Sequence, residues 1–512
     1  MDVDTLVIGA GFGGLACAAL RAAAGDRVVV LDRAAAPGGK ARTVPTPAGP
    51  AQAGPTVVTM RPVFDALFEA VGEHLEDHVA LSREPILARH SWRDGTALDL
   101  FPDPAASAAA VDAFAGPREA DAFRRFAAEA RALFEAFDRP MMRAARPRPA
   151  RLLAAALSRP RHLGALLPGR TLQGALDARF RDPRLRQLFG RYATYVGGSP
   201  RLSPAVLGLI YHSEASGVWR VEGGPSAIAA ALAGLVRRRG GTLRFGEGAA
   251  RLLVRGGRVR GAVTDESRTI RAAHTVFAGD PRALSEGLLG EAARPAVPRR
   301  AVEPRSHSAH VWAFAARATG PELAHHNVFF ADPEEEHAAL GRGETPRDPT
   351  HYLCAEWGGT PKPDPPLRRF EIIANAPPLP GGTTEESASC HSTMLRSLRA
   401  HGLRLDPEPP PPTTPRDFAA MHPGSAGALY GPSPHGSWAA LRRPRARTPM
   451  PGLLLAGGGC HPGAGIPMAA LSGRHAAEAI GTGRTSPSRS RPGATAGGTW
   501  TPSRKTGDGA AR

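Results

Sequence analysis

Apolar residues in this chain form runs of two kinds. Residues 3–8 and 28–31 are short and unbroken, with a helix-forming segment at 15–24 and a Gly25-Asp26 turn between them. Continuous hydrophobicity over strand length marks strands covered on both faces, so the two runs and the helix read as a βαβ unit of a parallel sheet. In the second kind, around 114–137, Phe123, Phe126, Ala127, Ala130, Phe134 and Phe137 recur at three- and four-residue steps, the mark of an amphipathic helix. An α/β pattern returns at 218–280, with a helix at 226–239 and strand-like pieces at 242–245, 251–254, 258–264 and 275–278. Near the far end a buried strand enters a glycine loop, and a helix starts near Pro467 and runs to about Ile480. The proline-rich stretch 403–415 reads as a surface loop, and the chain from Gly481 on, short of large apolar groups, is expected to be disordered.

Chemistry enters at the first turn. Gly9-Ala10-Gly11-Phe12-Gly13-Gly14 fits GxGxxG between a strand and a helix, and Asp32 closes the second strand. Gly9 permits the tight turn, Gly11 lets backbone amides approach a pyrophosphate, Gly14 lets helix and strand pack closely, and Asp32 can accept from an adenosine ribose. This grip suits NAD or FAD equally. The following Pro37-Gly38-Gly39-Lys40, taken alone, is a turn with an exposed cation. In the C-terminal glycine loop, Gly457-Gly458-Gly459-Cys460-His461-Pro462-Gly463-Ala464-Gly465-Ile466-Pro467, the backbone can approach a ring system, and the positive helix end can stabilise developing charge. Taken alone, His461 could be a capping or core histidine, but its setting in the glycine loop favours a position beside the bound ring system.

Length and charge narrow the picture. With 512 residues the chain suggests two or more domains, and 42% hydrophobic content allows a sizeable core. A net charge of +17 invites nucleic acid, but all but three of the 64 basic residues are arginine, as in a GC-rich coding sequence, so no nucleic-acid partner is expected. Residues 139–170 hold eight arginines, no acid, and an apolar complement of Met and Leu. They suit either a monotopic contact with an anionic membrane or a solvated basic loop. Four cysteines without CxxC spacing indicate neither a disulfide framework nor a metal site. The acids ahead of the first apolar run mark a strand rather than a signal peptide, and a cytoplasmic, reduced protein is expected.

The second glycine pair after the ribose acid resembles the FAD enzymes related to amine oxidases and carotenoid desaturases. The run His461-Pro462-Gly463-Ala464-Gly465-Ile466-Pro467 resembles the closing flavin motif of the phytoene-desaturase family. Further segments resemble in particular the bacterial 1-hydroxycarotenoid 3,4-desaturases: Ala53-Gly54-Pro55-Thr56, His325-His326-Asn327-Val328-Phe329-Phe330, Asn375-Ala376-Pro377, Gly427-Ala428-Leu429-Tyr430-Gly431 and Pro467-Met468-Ala469-Ala470. The resemblance covers roughly residues 1–480. It implies an α/β fold with a Rossmann-like FAD-binding domain of the amine-oxidase/phytoene-desaturase type, interrupted by a substrate domain with a helical membrane-associated part. The FAD domain would comprise 1–105, 210–285 and 445–480, and the substrate domain 106–209 and 286–444. Cofactor contacts would fall on Gly9, Gly11, Phe12, Gly13, Gly14, Asp32, Arg33, Gly38, Gly39, Lys40, Ala249, Gly458, Gly459, Gly465, Ile466 and Pro467. Gln52, where relatives usually have Asp, and Glu356-Trp357 depart from the family pattern.

Removing a hydride and a proton from a CH–CH bond needs an acceptor that no side chain supplies, so the implied FAD carries the redox step. His461 and Glu222 are the candidate proton acceptors; no metal is required. The implied partners are a long apolar carotenoid with a tertiary hydroxyl or methoxyl end, an anionic membrane surface, and oxygen or a quinone as electron acceptor. A peripheral position on the cytoplasmic side of the inner or intracytoplasmic membrane follows. The same fold would also serve a phytoene-type desaturase, a carotenoid isomerase, or a catalytically silent carotenoid-binding homologue.

Overall fold

The computed structural model describes residues 1–158, 169–356, 367–379 and 384–481. Most of the segment expected to be disordered lies outside them, as does part of 139–170.

The βαβ unit forms as its pattern dictates: β1 (Asp2–Ile8), α1 (Phe12–Ala23) and β2 (Val28–Asp32). β1 and β2 pair in parallel from Thr5↔Val28 to Ile8↔Leu31. Leu6, Val7 and Leu31 are fully buried, which is why these strands are apolar throughout rather than alternating. The sheet grows on one side by Thr242–Phe245 and on the other by Thr269–Phe277, both parallel to their neighbours. Leu453–Leu455 joins beyond Thr269–Phe277, again in parallel, and so brings the end of the chain beside its beginning. The expected strands at 251–254 and 275–278 are longer in the structure, Ala249–Arg255 and Thr269–Phe277, and the expected helices occupy Pro225–Arg238 and Ile466–Gly481.

α1 and the helix Ile466–Gly481 cross with almost no side-chain separation. A Cβ on Gly473 would stand 2.1 Å from the Gly13 carbonyl oxygen, and one on Gly13 would stand 2.4 Å from the Gly457 nitrogen. Glycine is needed at these places for room rather than for a special dihedral.

A second sheet runs Arg404–Asp406, Ser308–Thr319, Arg368–Ala376, His351–Glu356, His326–Phe329, Ala88–Ser91, Ala97–Leu100. One face carries Trp312, Phe314, Phe329, Leu353, Phe370 and Ile372 against Met394 and Leu398 of the helix Thr384–Ala400. The other face meets a helical core built on Phe123, Phe126, Phe180, Phe189, Tyr192 and Tyr211. Two readings change here. The strands Ala88–Ser91 and Ala97–Leu100 fall in the stretch 1–105 assigned to the FAD domain, yet Arg89 pairs with Asn327 in the second sheet. The proline-rich 403–415 also contributes a short strand, with Asp406 opposite Arg317.

Around 114–137 there are two helices, Pro104–Ala115 and Pro117–Phe137, because Gly116 at φ +90° and Pro117 interrupt the first and start the second. Phe123, Phe126 and Ala130 are buried as the periodicity requires. Among the described residues, no helix is long and apolar enough to cross a membrane.

Two glycine substitutions separate packing from propensity. Gly473→Ala should cost about 1–3 kcal/mol, because backbone rather than a flexible side chain must move. Gly341→Ala, in the helix Pro333–Arg342 with nothing within 4 Å of the added Cβ, should instead stabilise by up to about 1 kcal/mol. Thermal unfolding of the two variants checks both signs.

Candidate active site

The dinucleotide cradle is made of backbone. Gly9 turns at φ +108° while its amide donates to Leu31 at 2.8 Å. Gly11 caps α1 without a side-chain hydrogen bond, which leaves the first-turn amides facing outward with the positive end of the helix. The Gly38-Gly39 loop crosses in front: the Gly38 amide donates to Ala10 at 2.9 Å, and a Cβ on Gly39 would lie 3.1 Å from Gly11 Cα. Asp32 orders this meeting, one carboxylate oxygen accepting from the Ala10 amide at 2.6 Å and the other from Ala34 at 2.8 Å. Each oxygen keeps a lone pair for a ribose hydroxyl. Phe12 and Gly14 are buried, Phe12 packing edge-on to Phe64. Exposed Arg33 lies at the end of β2, its Cβ 3.6 Å from where a Cβ on Gly248 would stand, and Ala249 follows.

The C-terminal loop closes the cradle. Gly457, at φ +103°, donates to the Ser472 hydroxyl at 2.7 Å, and Gly465 at φ +103° leads into buried Ile466 and Pro467. Added Cβ atoms on Gly458 and Gly463 would meet nothing within 4 Å, and one on Gly11 nothing nearer than 4.0 Å. Both ends of the chain thus present side-chain-free backbone to open space beside two helix N-termini, an arrangement that fits an anionic dinucleotide. The remaining assigned position, Gly459, packs against Pro281 and Gly431.

Lys40 is not an exposed cation. Its ammonium donates to the Leu429 carbonyl at 2.5 Å and to Ala428 at 3.3 Å, and burial pushes its pKa down to about 8, with Arg305 and Arg443 lowering it against Asp280. Arg305 pairs with Asp280, both nearly inaccessible. Arg443 donates to the Gly458 carbonyl at 2.9 Å and to those of Tyr430 and Pro432. Sequence reasoning missed this cationic shell, whose members lie far apart along the chain.

His461 is 3% exposed, stacked on His475, and its Nε2–H donates to the Ala144 carbonyl at 2.8 Å. His475 donates likewise to Arg143 at 3.2 Å. Burial lowers both imidazoles to about 4, so they are neutral clamps on the segment 143–144. Glu222 is exposed on the turn before the helix Pro225–Arg238, its amide donating to Ala80. The neighbouring Gly223 carbonyl accepts from Gln52 Nε2 at 2.9 Å. Gln52 therefore has a structural use, and a Cβ on Gly224 would strike its amide at 2.1 Å.

The second sheet supplies polar groups that sequence reasoning did not single out. His326, Cys354 and Glu371 are successive cross-strand partners on one face, 1%, 0% and 1% exposed. Tyr352, also on that face, bonds to His326 Nδ1 and to the Thr56 hydroxyl, each at 2.7 Å. Strand alternation in 368–376, with an acid on the inward face, was the available signal. Glu356, the departing residue, pairs with Arg369 at 3.0 Å; Trp357 lies outside the described residues.

Residues 12–481 match the family described as flavin containing amine oxidoreductase. The chain is 54% identical over 479 residues to a hydroxyneurosporene desaturase of Cereibacter sphaeroides, covering 93% of this chain and 97% of that protein. A hydroxyneurosporene desaturase of Rhodobacter capsulatus is 49% identical over 482 residues, with 94% and 98% covered. The crystal structure of an oxidoreductase from Methanosarcina mazei superposes with a TM-score of 0.59 at 16% identity, over 93% of this chain and all of that one, which shows the shared fold. The chain's cofactor is FAD, and the open backbone of this cradle fits it.

Gly11→Val should leave the fold intact, because its nearest neighbour in the protein is 4.0 Å from the added Cβ, while filling the pyrophosphate's approach. The variant should purify with unchanged far-ultraviolet circular dichroism and without the flavin absorption bands. FAD at wild-type content would move the site elsewhere.

Proposed function

The chain belongs to the flavin containing amine oxidoreductase family, and from that premise we propose that it is an FAD-dependent desaturase that introduces the C-3,4 double bond into acyclic 1-hydroxy- or 1-methoxy-carotenoids. The observation that carries this reading is its likeness, over nearly its whole length, to two hydroxyneurosporene desaturases. Both glycine grips of the cofactor are intact.

Bound FAD would supply the two-electron acceptor for the hydride. The protein's part is to bind, orient and exclude water. The Gly9–Gly14 and Gly38–Gly39 loops hold the dinucleotide, and the shell of Lys40, Arg305 and Arg443 around Asp280 gives that region an excess of positive charge. Apolar residues of the helical core, among them Phe123, Phe126 and Phe189, flank the second sheet and suit a polyene. Loss of a proton from a polyene cation needs no strong base, since the charge is delocalised. His461 and His475 act as clamps that join the segment 143–144 to the flavin-side loop. Oxygen or a quinone takes the electrons onward.

The substrate dissolves only in bilayers, so we place the enzyme peripherally on the cytoplasmic side of the inner or intracytoplasmic membrane. Support comes from the helix Pro149–Leu157, which buries no residue and exposes Leu153 (59%) and Leu157 (58%) beside Arg148 and Arg151. Arg143 does not belong to this surface: it pairs with Asp138 at 2.8 Å, and its carbonyl accepts from His475.

Two measurements test these statements. Expression in a host that accumulates 1-hydroxyneurosporene should yield a pigment with one more conjugated double bond, seen as a red shift of the carotenoid bands; unchanged pigment contradicts the reading. The quadruple variant Arg148→Gln, Arg151→Gln, Leu153→Ser, Leu157→Ser should bind anionic liposomes at least about thirtyfold more weakly, from the two charges alone at about 1 kcal/mol each. Its FAD content should not change. Wild-type binding would place the membrane face elsewhere.

A further inference from the structure

We propose that Glu371 and His326, flanking Cys354 in one cross-strand row, form the pocket that reads the tertiary hydroxyl of the carotenoid end group. This rests on the desaturase reading above.

The row is fixed by register. His326 pairs with Cys354 and Cys354 with Glu371, so the three side chains stand side by side on one face, with Tyr352 two residues along. That face turns toward the helical core, where Val328 and Tyr352 pack with aromatic residues. In such a setting polar atoms normally find partners, yet both carboxyl oxygens of Glu371 and Nε2 of His326 have none. The Thr56 hydroxyl and the Gly54 amide lie close enough to Glu371 to favour its charged form, short of full hydrogen-bond geometry.

The protonation states follow from the surroundings. Burial, and then Glu356, push the Glu371 carboxyl well above the usual range against the smaller pull of Thr56, Arg42 and Gly54, so it stands as a neutral acid. Burial likewise holds His326 neutral. Thr56 and Tyr352 share one hydrogen bond, and Tyr352 and His326 Nδ1 another, so Nε2 is the imidazole nitrogen left to face a ligand, as donor or acceptor according to the tautomer. The row therefore offers an unpartnered imidazole nitrogen on one side of Cys354 and a donor–acceptor pair on the other. An alcohol carries one donor and two acceptor sites and complements all three. A methyl ether keeps only the acceptors, and a hydrocarbon end has neither.

Position agrees with chemistry. A hydroxyl on carbon 1 is two carbons from the C-3,4 bond, so its reader must adjoin the cofactor. Thr56 follows Gly54, where a Cβ would stand 2.0 Å from the Lys40 carbonyl, immediately after the Gly38–Gly39 loop. On the other side Tyr430, whose hydroxyl lies within electrostatic reach of the Glu371 position, precedes Gly431, packed 2.7 Å (added Cβ) from Gly459 of the flavin loop.

His325, His326 and Cys354 also bring three potential metal ligands within 4.8 Å of one another. The Cys354 thiol is pushed up by burial and Glu356, away from the thiolate a metal requires, and His325 Nδ1 is engaged by the Ala355 carbonyl at 3.0 Å.

The test uses full-length, FAD-loaded enzyme and three substrates in liposomes: a 1-hydroxylated acyclic carotene, its methyl ether, and the unsubstituted carotene. Wild type should follow the order hydroxyl, methoxyl, unsubstituted in kcat/KM, the first exceeding the last at least about a hundredfold. Glu371→Leu should cut that ratio at least about tenfold, through a raised KM for the hydroxylated substrate, with FAD content unchanged. Glu371→Gln keeps a donor and an acceptor and should retain most of the ratio. His326→Phe should behave as Glu371→Leu, and it decides the matter if that variant fails to load FAD. An unchanged ratio, or equal losses on all substrates, overturns the assignment. If wild type converts all three without preference, the assignment fails while the desaturase reading stands; if it converts none, both fall.

Discussion

A contact without side chains joins opposite ends of this chain, and the cofactor site depends on it. Gly13 meets Gly457 and Gly473 backbone to backbone: a Cβ on Gly13 would stand 2.4 Å from the Gly457 nitrogen, and one on Gly473 2.1 Å from the Gly13 carbonyl oxygen. That approach sets the N-terminus of α1 beside the first turns of the helix Ile466–Gly481. The strand Leu453–Leu455, in register with Thr275–Phe277, fixes the height at which the loop enters. A dinucleotide then sees two positive helix ends and an unobstructed main chain. Larger residues at these glycines would separate the ends and dissolve the cradle without touching a cofactor atom.

The second sheet divides its labour between its faces. Against the helix Thr384–Ala400 it is a plain aromatic and aliphatic core. Against the helical part it carries His326, Cys354 and Glu371 among aromatic rings. Burying acids and imidazoles there is costly unless something satisfies them, and the row lies one short segment from the Gly38–Gly39 loop. The same economy of position appears in His461 and His475, which tie Arg143 and Ala144 to the flavin-side loop through neutral N–H donors.

Much of the first sheet was legible from sequence, because βαβ units combine strong periodicity with obligatory glycines: residues 242–245 and 258–264 form strands over the expected spans. Where local signals compete, reading failed. Gly116-Pro117 put Phe114 on a separate helix, while Phe123 to Phe137 share the single amphipathic helix that their spacing marks. Strands 88–91 and 97–100 joined a sheet whose other members lie more than two hundred residues on, a pairing no local pattern encodes. Lys40 looked exposed because its partners are carbonyls of residues 428 and 429. Glu371 sits between Phe370 and Ile372 and was passed over. A lone inward acid in an alternating strand is a signal in its own right, readable once the partner strands are known.

The most direct measurement of the redox reading is a titration of FAD-loaded enzyme with a 1-hydroxylated acyclic carotene in anaerobic liposomes, followed in the flavin bands. A desaturase should bleach them with one equivalent of carotene per flavin and release a product with one more double bond. Flavin that stays oxidised while the carotene is bound, or carotene that isomerises without bleaching it, would contradict the assignment.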